Sequence, residues 1–168
     1  MVAQVTETAF VRGKLELPND LADWIEAATL LETVEQLVEG LDWFNPQIVE
    51  FLAAHPDFKP KQILILLLYA YARGVYEADE VSQLPYRDEL MRTNYAPITP
   101  PGNAVTRFRR DNRGLIKWGL VELFKRVLTL RQVIEGTHFP AGLRRHLVVL
   151  ATRRLDMART MIRGSEEA

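Results

Sequence analysis

The sequence predicts an all-α fold: a multi-helix bundle with a helix-turn-helix-like core and a C-terminal helical hairpin. Apolar residues recur at spacings of three and four along most of the 168-residue chain, which is the period of helices with one buried face. No segment alternates strictly between apolar and polar residues, so essentially no sheet is expected. Hydrophobic residues make up 48% and charged residues 26% of the chain, a balance typical of proteins with a buried core.

Three parts are predicted along the chain. Residues 1–20 form an irregular lead-in, in which Gly13 and Pro18 interrupt regular structure. Residues 20–114 form a helical domain, and residues 115–164 form a helical hairpin that packs on it. A length of 168 residues suits one domain with such an extension.

Caps and breakers bound the predicted helices of the 20–114 domain. Asp20 is suited to an N-cap, and the helix that follows it is expected to stop at Gly40. The third predicted helix, between Pro60 and Gly74, is apolar almost all round, which predicts the central helix of the core. Pro85 is expected to separate two short helices. The further predicted helices cover residues 46–55, 78–84, 86–92 and 104–114, the last one capped by Asn103 or Thr106.

The last third is predicted to form two long antiparallel helices, over residues 115–136 and 143–163, joined by a turn from Gly136 to Gly142. In each helix apolar residues repeat at spacings of three and four, which predicts a seam against a partner helix. The first seam consists of Ile116, Leu120, Leu123, Val127, Leu130 and Ile134, and the second of Val148, Ala151, Leu155, Ala158 and Ile162. The pattern leaves open whether the hairpin caps the domain or pairs between two copies of the chain.

Residues for the common kinds of catalytic or metal chemistry form no recognisable set. The chain has no cysteine and three histidines, His55, His138 and His146, so neither a thiolate site nor a third ligand for a histidine site is evident. The carboxylates after residue 98 share no obvious helix face, and no glycine-rich phosphate loop is present. We therefore expect no enzyme activity, no catalytic or metal-binding residues, no cofactor and no small-molecule substrate.

No pattern in the sequence indicates export or membrane insertion. The amino terminus lacks the basic stretch followed by an apolar run that marks a secretory signal. The longest apolar run, Ile63–Ala72, is shorter than the roughly 20 residues that cross a bilayer. A cytoplasmic location without a membrane partner is therefore expected.

Formal charge is distributed unevenly along the chain, although its net value is only −1. Residues 1–98 carry seven Lys and Arg against 16 Asp and Glu, whereas residues 99–163 carry 14 against four. This asymmetry predicts that the second half contacts a polyanion. The alternative is that the acidic half packs against the basic half and neutralises it.

Four of these cations fall within a stretch of seven residues. Arg107 and Arg110 share one helix face, while Arg109 and Arg113 share the neighbouring one. Phe108 is expected to point inward and hold the helix on the core. Guanidinium groups on one helix face bind phosphates and guanine edges, so a DNA contact is predicted. The alternative is a solvated face that pairs with the acidic half.

Several motifs follow one another in an order typical of one family. The motifs are a proline-led start at Lys59–Lys61, an apolar helix ending in Leu68–Gly74, short helices at Glu77–Leu84 and Tyr86–Tyr95, and the segment Val105–Arg110 after a proline loop. Over residues 20–130 this order resembles the amino-terminal domain of bacterial insertion-sequence DDE transposases, the InsH-like group.

The resemblance implies binding of double-stranded DNA and a bacterial, nucleoid-associated location. The loop before the arginines reads Pro101-Gly102-Asn103, where the family usually has Pro-Asp-His. Beyond residue 135 the family enters a catalytic domain, whereas this chain continues with a predicted helix, which implies a relic or a regulator without strand transfer. The expected DNA-contacting residues are Asn103, Thr106, Arg107, Arg109, Arg110, Arg113 and Lys117.

A second hypothesis is a protein–protein interaction or oligomerisation module. In this hypothesis the apolar seams of the C-terminal hairpin bind a partner or a second copy of the chain. The basic surface then docks on an acidic protein instead of DNA.

Overall fold

The computed structural model describes residues 10–11, 14–41, 60–95, 100–130 and 142–167. In this part of the chain seven α-helices form a multi-helix bundle, so the predicted all-α class is confirmed. The helices are α1 (Ala27–Glu39), α2 (Pro60–Ala72), α3 (Ala78–Arg87), α4 (Glu89–Tyr95), α5 (Gly102–Asp111), α6 (Arg113–Leu130) and α7 (Leu143–Glu167). The helix predicted over residues 46–55 and nearly all of the turn predicted before Gly142 lie outside the described residues.

A short antiparallel ladder precedes the first helix. Its strands, β1 (Phe10–Val11) and β2 (Lys14–Leu15), have two residues each. The ladder lies in the segment that we expected to be irregular. Strands this short leave no alternation of apolar and polar residues for a sequence pattern to reveal.

The first predicted helix consists of two elements. Asp20 caps as predicted, since its Oδ1 accepts a hydrogen bond from the Ala22 amide at 2.9 Å, but the element that it caps is a single 3₁₀ turn, Leu21–Asp23. Glu26 then has φ −58° and ψ 140°, an extended backbone, and α1 begins at the next residue. Gly40 follows the last residue of α1, as predicted. The buried face of α1 packs against α2 and α6.

Helix α2 lies at the centre of the core, as its apolar composition predicts. Eleven of its 13 residues are buried, and it packs against α1, α3 and α6. The helix begins at Pro60 and ends at Ala72, shortly before Gly74, which has a φ of +78°. A Cβ at Gly74 would also lie 2.6 Å from the side-chain nitrogen of Asn19. The left-handed backbone and the close neighbour both require glycine there.

The break between α3 and α4 lies at Asp88 and not at Pro85, which corrects the sequence prediction. Pro85 is buried inside α3, where tertiary packing offsets the backbone hydrogen bond that proline cannot donate. Asp88 has φ −90° and ψ 121°, and its Oδ1 accepts from the amides of Leu90 at 2.8 Å and Met91 at 3.4 Å. The Asp88 carboxylate therefore caps α4 at the point where α3 stops.

Helix α5 begins in close contact with α3. The Ser82 hydroxyl donates to the Pro100 carbonyl oxygen at 2.5 Å. A Cβ at Gly102 would meet Oδ1 of Asp79, the outer end of an exposed side chain, which shows how closely the two helices approach. The hydrogen bond holds the start of α5 against α3.

The cap of α5 differs from the prediction. Pro101, with φ −67° and ψ 161°, occupies the N-cap position and makes no side-chain cap bond. Asn103 lies in the first turn, where its Oδ1 accepts from the Ala104 amide at 2.9 Å. The Thr106 hydroxyl donates to the Gly102 carbonyl oxygen at 3.0 Å. Both predicted caps are thus inside the helix, because the approach to α3 starts α5 earlier than the pattern suggests.

Helices α6 and α7 pack against each other, and most described residues of the predicted seams are buried. The buried seam residues are Ile116, Leu120, Leu123 and Val127 on α6 and Ala151, Leu155 and Ala158 on α7. Val148 is half-buried and packs against the core. Leu130 is 52% exposed, so it is not part of a buried seam, and the predicted seam residues Ile134 and Ile162 lie outside the residues whose side chains the structure describes.

Helix α6 also belongs to the core of the predicted 20–114 domain. It packs against α1 and α2 as well as α7. At Gly119 a Cβ would lie 2.9 Å from a methyl carbon of Leu68 on α2, which shows how closely the two helices approach. A single hydrophobic cluster contains residues from both predicted parts of the chain.

Candidate nucleic-acid interface

Helix α5 has one buried face and one exposed polar face. Val105 and Phe108 are buried, and Phe108 points inward as predicted. Asn103, Arg107 and Arg110 are exposed, and their spacing of four and three residues places them along one side of the helix. We call these three residues the α5 stripe.

Arg109 lies on the buried face of α5, and only 7% of it is exposed. Its Nη1 donates to the Tyr76 carbonyl oxygen at 2.5 Å and to the Tyr71 hydroxyl at 3.2 Å. Burial raises the pKa of Tyr71, so this hydroxyl stays neutral. The structure corrects the expectation that Arg109 contacts DNA, because its guanidinium is enclosed and holds α5 against α2.

Arg113 and Lys117 lie on the first turns of α6, just after the α5 stripe. Arg113 is exposed, and its Nη2 donates to Oδ1 of Asp156 on α7 at 2.8 Å. Lys117 is half-buried. Thr106, the remaining expected contact, is half-buried beside the stripe. The α5 stripe and the start of α6 are therefore adjacent, and Arg113 ties them to α7.

The Arg113–Asp156 pair brings further arginines to the same place. Arg153 and Arg159 are exposed on α7, and each is three residues from Asp156, on neighbouring parts of its surface. The arginine that pairs with Asp156 is 43 positions away in the chain, beyond the reach of any helix-spacing rule. We call Arg113, Arg153 and Arg159 the basic corner.

Ion pairing does not join the acidic and basic halves in the part of the chain that the structure describes. In the acidic half the ion pairs are Lys61–Glu39, Arg73–Asp20 and Arg73–Asp88, and in the basic half Arg110–Asp111, Arg113–Asp156 and Lys125–Glu122. Each of these six pairs lies within one half. The alternative in which the acidic half neutralises the basic half by direct pairing thus finds no support among these contacts.

A second arginine of the basic half, Arg154, is buried in the core. Arg154 is 7% exposed, and its guanidinium donates to the carbonyl oxygens of Pro18 at 2.7 Å, Asn19 at 2.9 Å and Tyr71 at 2.5 Å. It also lies over the Phe124 ring, 5.4 Å from the centroid. Burial lowers the pKa of Arg154. Arg154 therefore joins the lead-in, the C-terminal end of α2 and α7, a role that the sequence did not indicate.

Two further properties concern ligands and membranes. Among the described residues, no three His, Cys, Asp or Glu side chains are grouped so that they could hold a metal ion. No helix in the described ranges is both long enough and apolar enough to cross a membrane.

Comparisons of the chain with known protein families, with characterised proteins and with solved structures find no match. The arguments for function therefore depend on the geometry of the exposed basic residues and on the sequence motifs.

Proposed function

We propose that this protein binds double-stranded DNA, with the α5 stripe in the major groove and the basic corner on the phosphates. The observation that carries the proposal is the α5 stripe itself: an exposed row of one Asn and two Arg side chains on a helix whose opposite face is anchored in the core. Asn pairs with adenine edges and Arg with guanine edges in the major groove. The row therefore offers hydrogen-bonding groups for both purines.

The dimensions and the support of α5 suit this role. Its ten residues span about 15 Å, and the major groove is about 12 Å wide, enough to admit one helix. Phe108 is buried in the core, Arg109 holds α5 on α2, and the Ser82 hydroxyl holds the start of α5 against α3. A recognition helix needs such rigid support, because base contacts require fixed geometry.

The cations around the stripe supply the phosphate contacts. Arg153 and Arg159 are exposed and have no ion pair within the described residues. Cations that contact phosphates release counterions from the DNA, so affinity falls as salt rises. Lys117 and Arg113 extend the same surface along α6.

The resemblance to the amino-terminal domain of insertion-sequence transposases supports the same proposal. Its most specific motifs are Leu68–Gly74 and Val105–Arg110. We propose that the protein is a non-catalytic relic or regulator of this type, located at the bacterial nucleoid. It binds DNA without cutting or joining strands.

Fluorescence anisotropy with a labelled duplex tests the proposal. We expect the double variant Arg107→Gln/Arg110→Gln to bind at least about tenfold more weakly than the wild type, because each lost base contact is worth about 1–3 kcal/mol. The matched control, Arg87→Gln/Arg92→Gln, removes the same charge from exposed arginines of α3 and α4. Equal losses in both variants, or no binding to any duplex at low salt, would contradict the proposal.

A protein–protein interaction module remains the second candidate. Val149 and Met157 on α7 are 46% and 44% exposed, and such side chains suit a helix partner or a second copy of the chain. Sedimentation of the protein alone tests this candidate. Association of the wild type that the double variant Val149→Ser/Met157→Ser abolishes would favour the interaction module. If the wild type and the double variant are both monomeric, DNA binding is favoured.

A further inference from the structure

One edge of the Arg109 guanidinium is buried without a hydrogen-bond partner. Nη1 donates to the Tyr76 carbonyl oxygen and to the Tyr71 hydroxyl, but Nε and Nη2 donate to no acceptor. In the described part of the chain these two are the only buried side-chain nitrogen or oxygen atoms without a partner. Nε–H and the adjacent Nη2–H point the same way along one edge of the planar group, as in a fork. We call this edge the Arg109 fork.

Arg154 shows that the core of this protein can satisfy a buried guanidinium. Arg109 and Arg154 are both 7% exposed. Arg154 donates to four backbone carbonyl oxygens, and none of its buried nitrogens is left without a partner. The folded chain brings no such acceptors to the Arg109 fork. Because burying donors of a charged group without acceptors is costly, the fork is suited to an acceptor from outside the chain.

The positive charge of Arg109 has no carboxylate partner among the described residues. Burial raises the pKa of Tyr71, and the charges of Arg109 and Arg113 oppose that rise, so both guanidinium groups act on the same hydroxyl. Arg113 is paired with Asp156, whereas Arg109 takes part in none of the six ion pairs. Buried charges in proteins are normally paired. An anion therefore suits the fork better than a water molecule, because it supplies both the acceptors and the opposite charge.

We propose that the Arg109 fork binds a small oxyanion, of the phosphate or carboxylate class, where α5 packs on the C-terminal end of α2. Two oxygen atoms of such an ion match the two parallel N–H groups of the fork. The site goes beyond the proposed DNA binding, since the fork belongs to the buried face of α5 and the α5 stripe to the exposed face.

Burial of the fork specifies a free ion and not the backbone of DNA. Both fork atoms are enclosed by protein, and a phosphate within a duplex is held in a backbone too wide to follow it inside. A free ion reaches a buried group through a local opening of the fold. We therefore expect the ion to exchange slowly, in contrast to ions at the exposed arginines.

Thermal unfolding with inorganic phosphate tests the proposal. At about ten times the Kd, phosphate should raise the Tm of the wild type by about 3–6 °C over chloride of equal ionic strength, because it binds the folded state. Arg109→Lys keeps the charge but lacks the fork, so most of this rise should be lost. Arg107→Gln/Arg110→Gln, the matched control, removes exposed arginines of the same helix and should respond like the wild type. Acetate in place of phosphate shows which class of oxyanion the fork prefers.

The Nε–H signal of Arg109 in the NMR spectrum of the ¹⁵N-labelled wild type gives a second readout, which does not depend on whether a variant folds. We expect phosphate to replace this signal with a new one at another position, since the fork donates to the ion and exchange is slow. The Nε–H signals of Arg107 and Arg110 should show no such replacement.

Three results would overturn the proposal. If neither phosphate nor acetate raises the Tm above that in chloride and the Arg109 signal stays in place, water satisfies the fork. If the Tm of Arg109→Lys rises as much as that of the wild type, the ion binds at surface cations. If duplex DNA changes the Arg109 signal and phosphate does not, the ligand is the DNA backbone. Duplex affinity is measured separately by anisotropy, so the proposed DNA binding stands or fails independently of this site.

Discussion

Replacement of Arg154 by alanine should destabilise the whole bundle, because this side chain joins three segments that are far apart in the chain. Its guanidinium donates to the carbonyl oxygens of Pro18, Asn19 and Tyr71. A hydrogen bond from a charged donor stabilises by about 1.5–3 kcal/mol, so three of them contribute about 4–9 kcal/mol before other terms are included. Removing the buried charge returns several kcal/mol of desolvation cost. The expected net loss is about 2–4 kcal/mol, a large fraction of a typical total of about 5–15 kcal/mol.

Denaturant unfolding followed by circular dichroism measures this loss. For a chain of this size it corresponds to a decrease in Tm of about 4–16 °C. Arg153→Ala is the matched control, since Arg153 is the preceding residue, is exposed and carries the same charge. Its free energy of unfolding should stay within about 0.5 kcal/mol of the wild type. The free energy of unfolding of Arg154→Lys should lie between those of Arg154→Ala and Arg153→Ala, because an ammonium group cannot reach all three carbonyl oxygens at once.

The reasoning about Arg154 would be refuted if its alanine variant were as stable as Arg153→Ala. That result would mean that the desolvation cost of the charge equals the whole gain from its hydrogen bonds. Hydrogen exchange gives an independent check, since loss of the contacts should speed exchange in the lead-in more than in α6.

Three further predictions concern other parts of the molecule. Gly119→Ala should lower the free energy of unfolding, because the added Cβ would lie 2.9 Å from a methyl carbon of Leu68. Gly114→Ala should raise the free energy of unfolding by up to about 1 kcal/mol through helix propensity, because a Cβ there meets nothing within 4 Å. Thermal melts of both variants test the two expectations. Burial raises the pKa of Tyr69 from 10.0 to about 12, so the folded state should lose stability as pH rises from about 10 to 12. Unfolding experiments across that range should show a smaller loss of stability in Tyr69→Phe. Asp156→Asn removes an anion beside the basic corner and breaks the ion pair with Arg113. Fluorescence anisotropy should therefore show a DNA affinity several-fold above that of the wild type at low salt. Unchanged or weaker binding would count against a phosphate contact at this corner.

Helix positions were predictable where local chemistry sets them. Pro60 starts α2 and Gly74 follows its end, because proline suits the first turn and glycine suits a left-handed residue. Phe108 points inward, because the apolar residue of an arginine-rich helix must face the core. In these cases the signal lies within a few residues of the feature.

The predicted element boundaries are wrong where two local signals compete. Pro85 was the stronger breaker in the sequence, yet the helix passes through it and stops at Asp88. Burial of the proline and capping by the Asp88 carboxylate decide the outcome. Both effects depend on the surroundings of the residues and not on their identity alone.

The sequence by itself determined the class of the fold and the excess of cations in the second half of the chain. The period of its apolar residues specifies helices, and composition specifies the charge of each half. Only the tertiary structure decided which arginines are free to bind a partner. Arg107 and Arg109 look alike in the sequence, but Arg109 meets Tyr71, 38 positions away, and is buried. A guanidinium can donate hydrogen bonds to water, to phosphate or to a buried carbonyl oxygen, so its role depends on which acceptors the folded chain brings within reach.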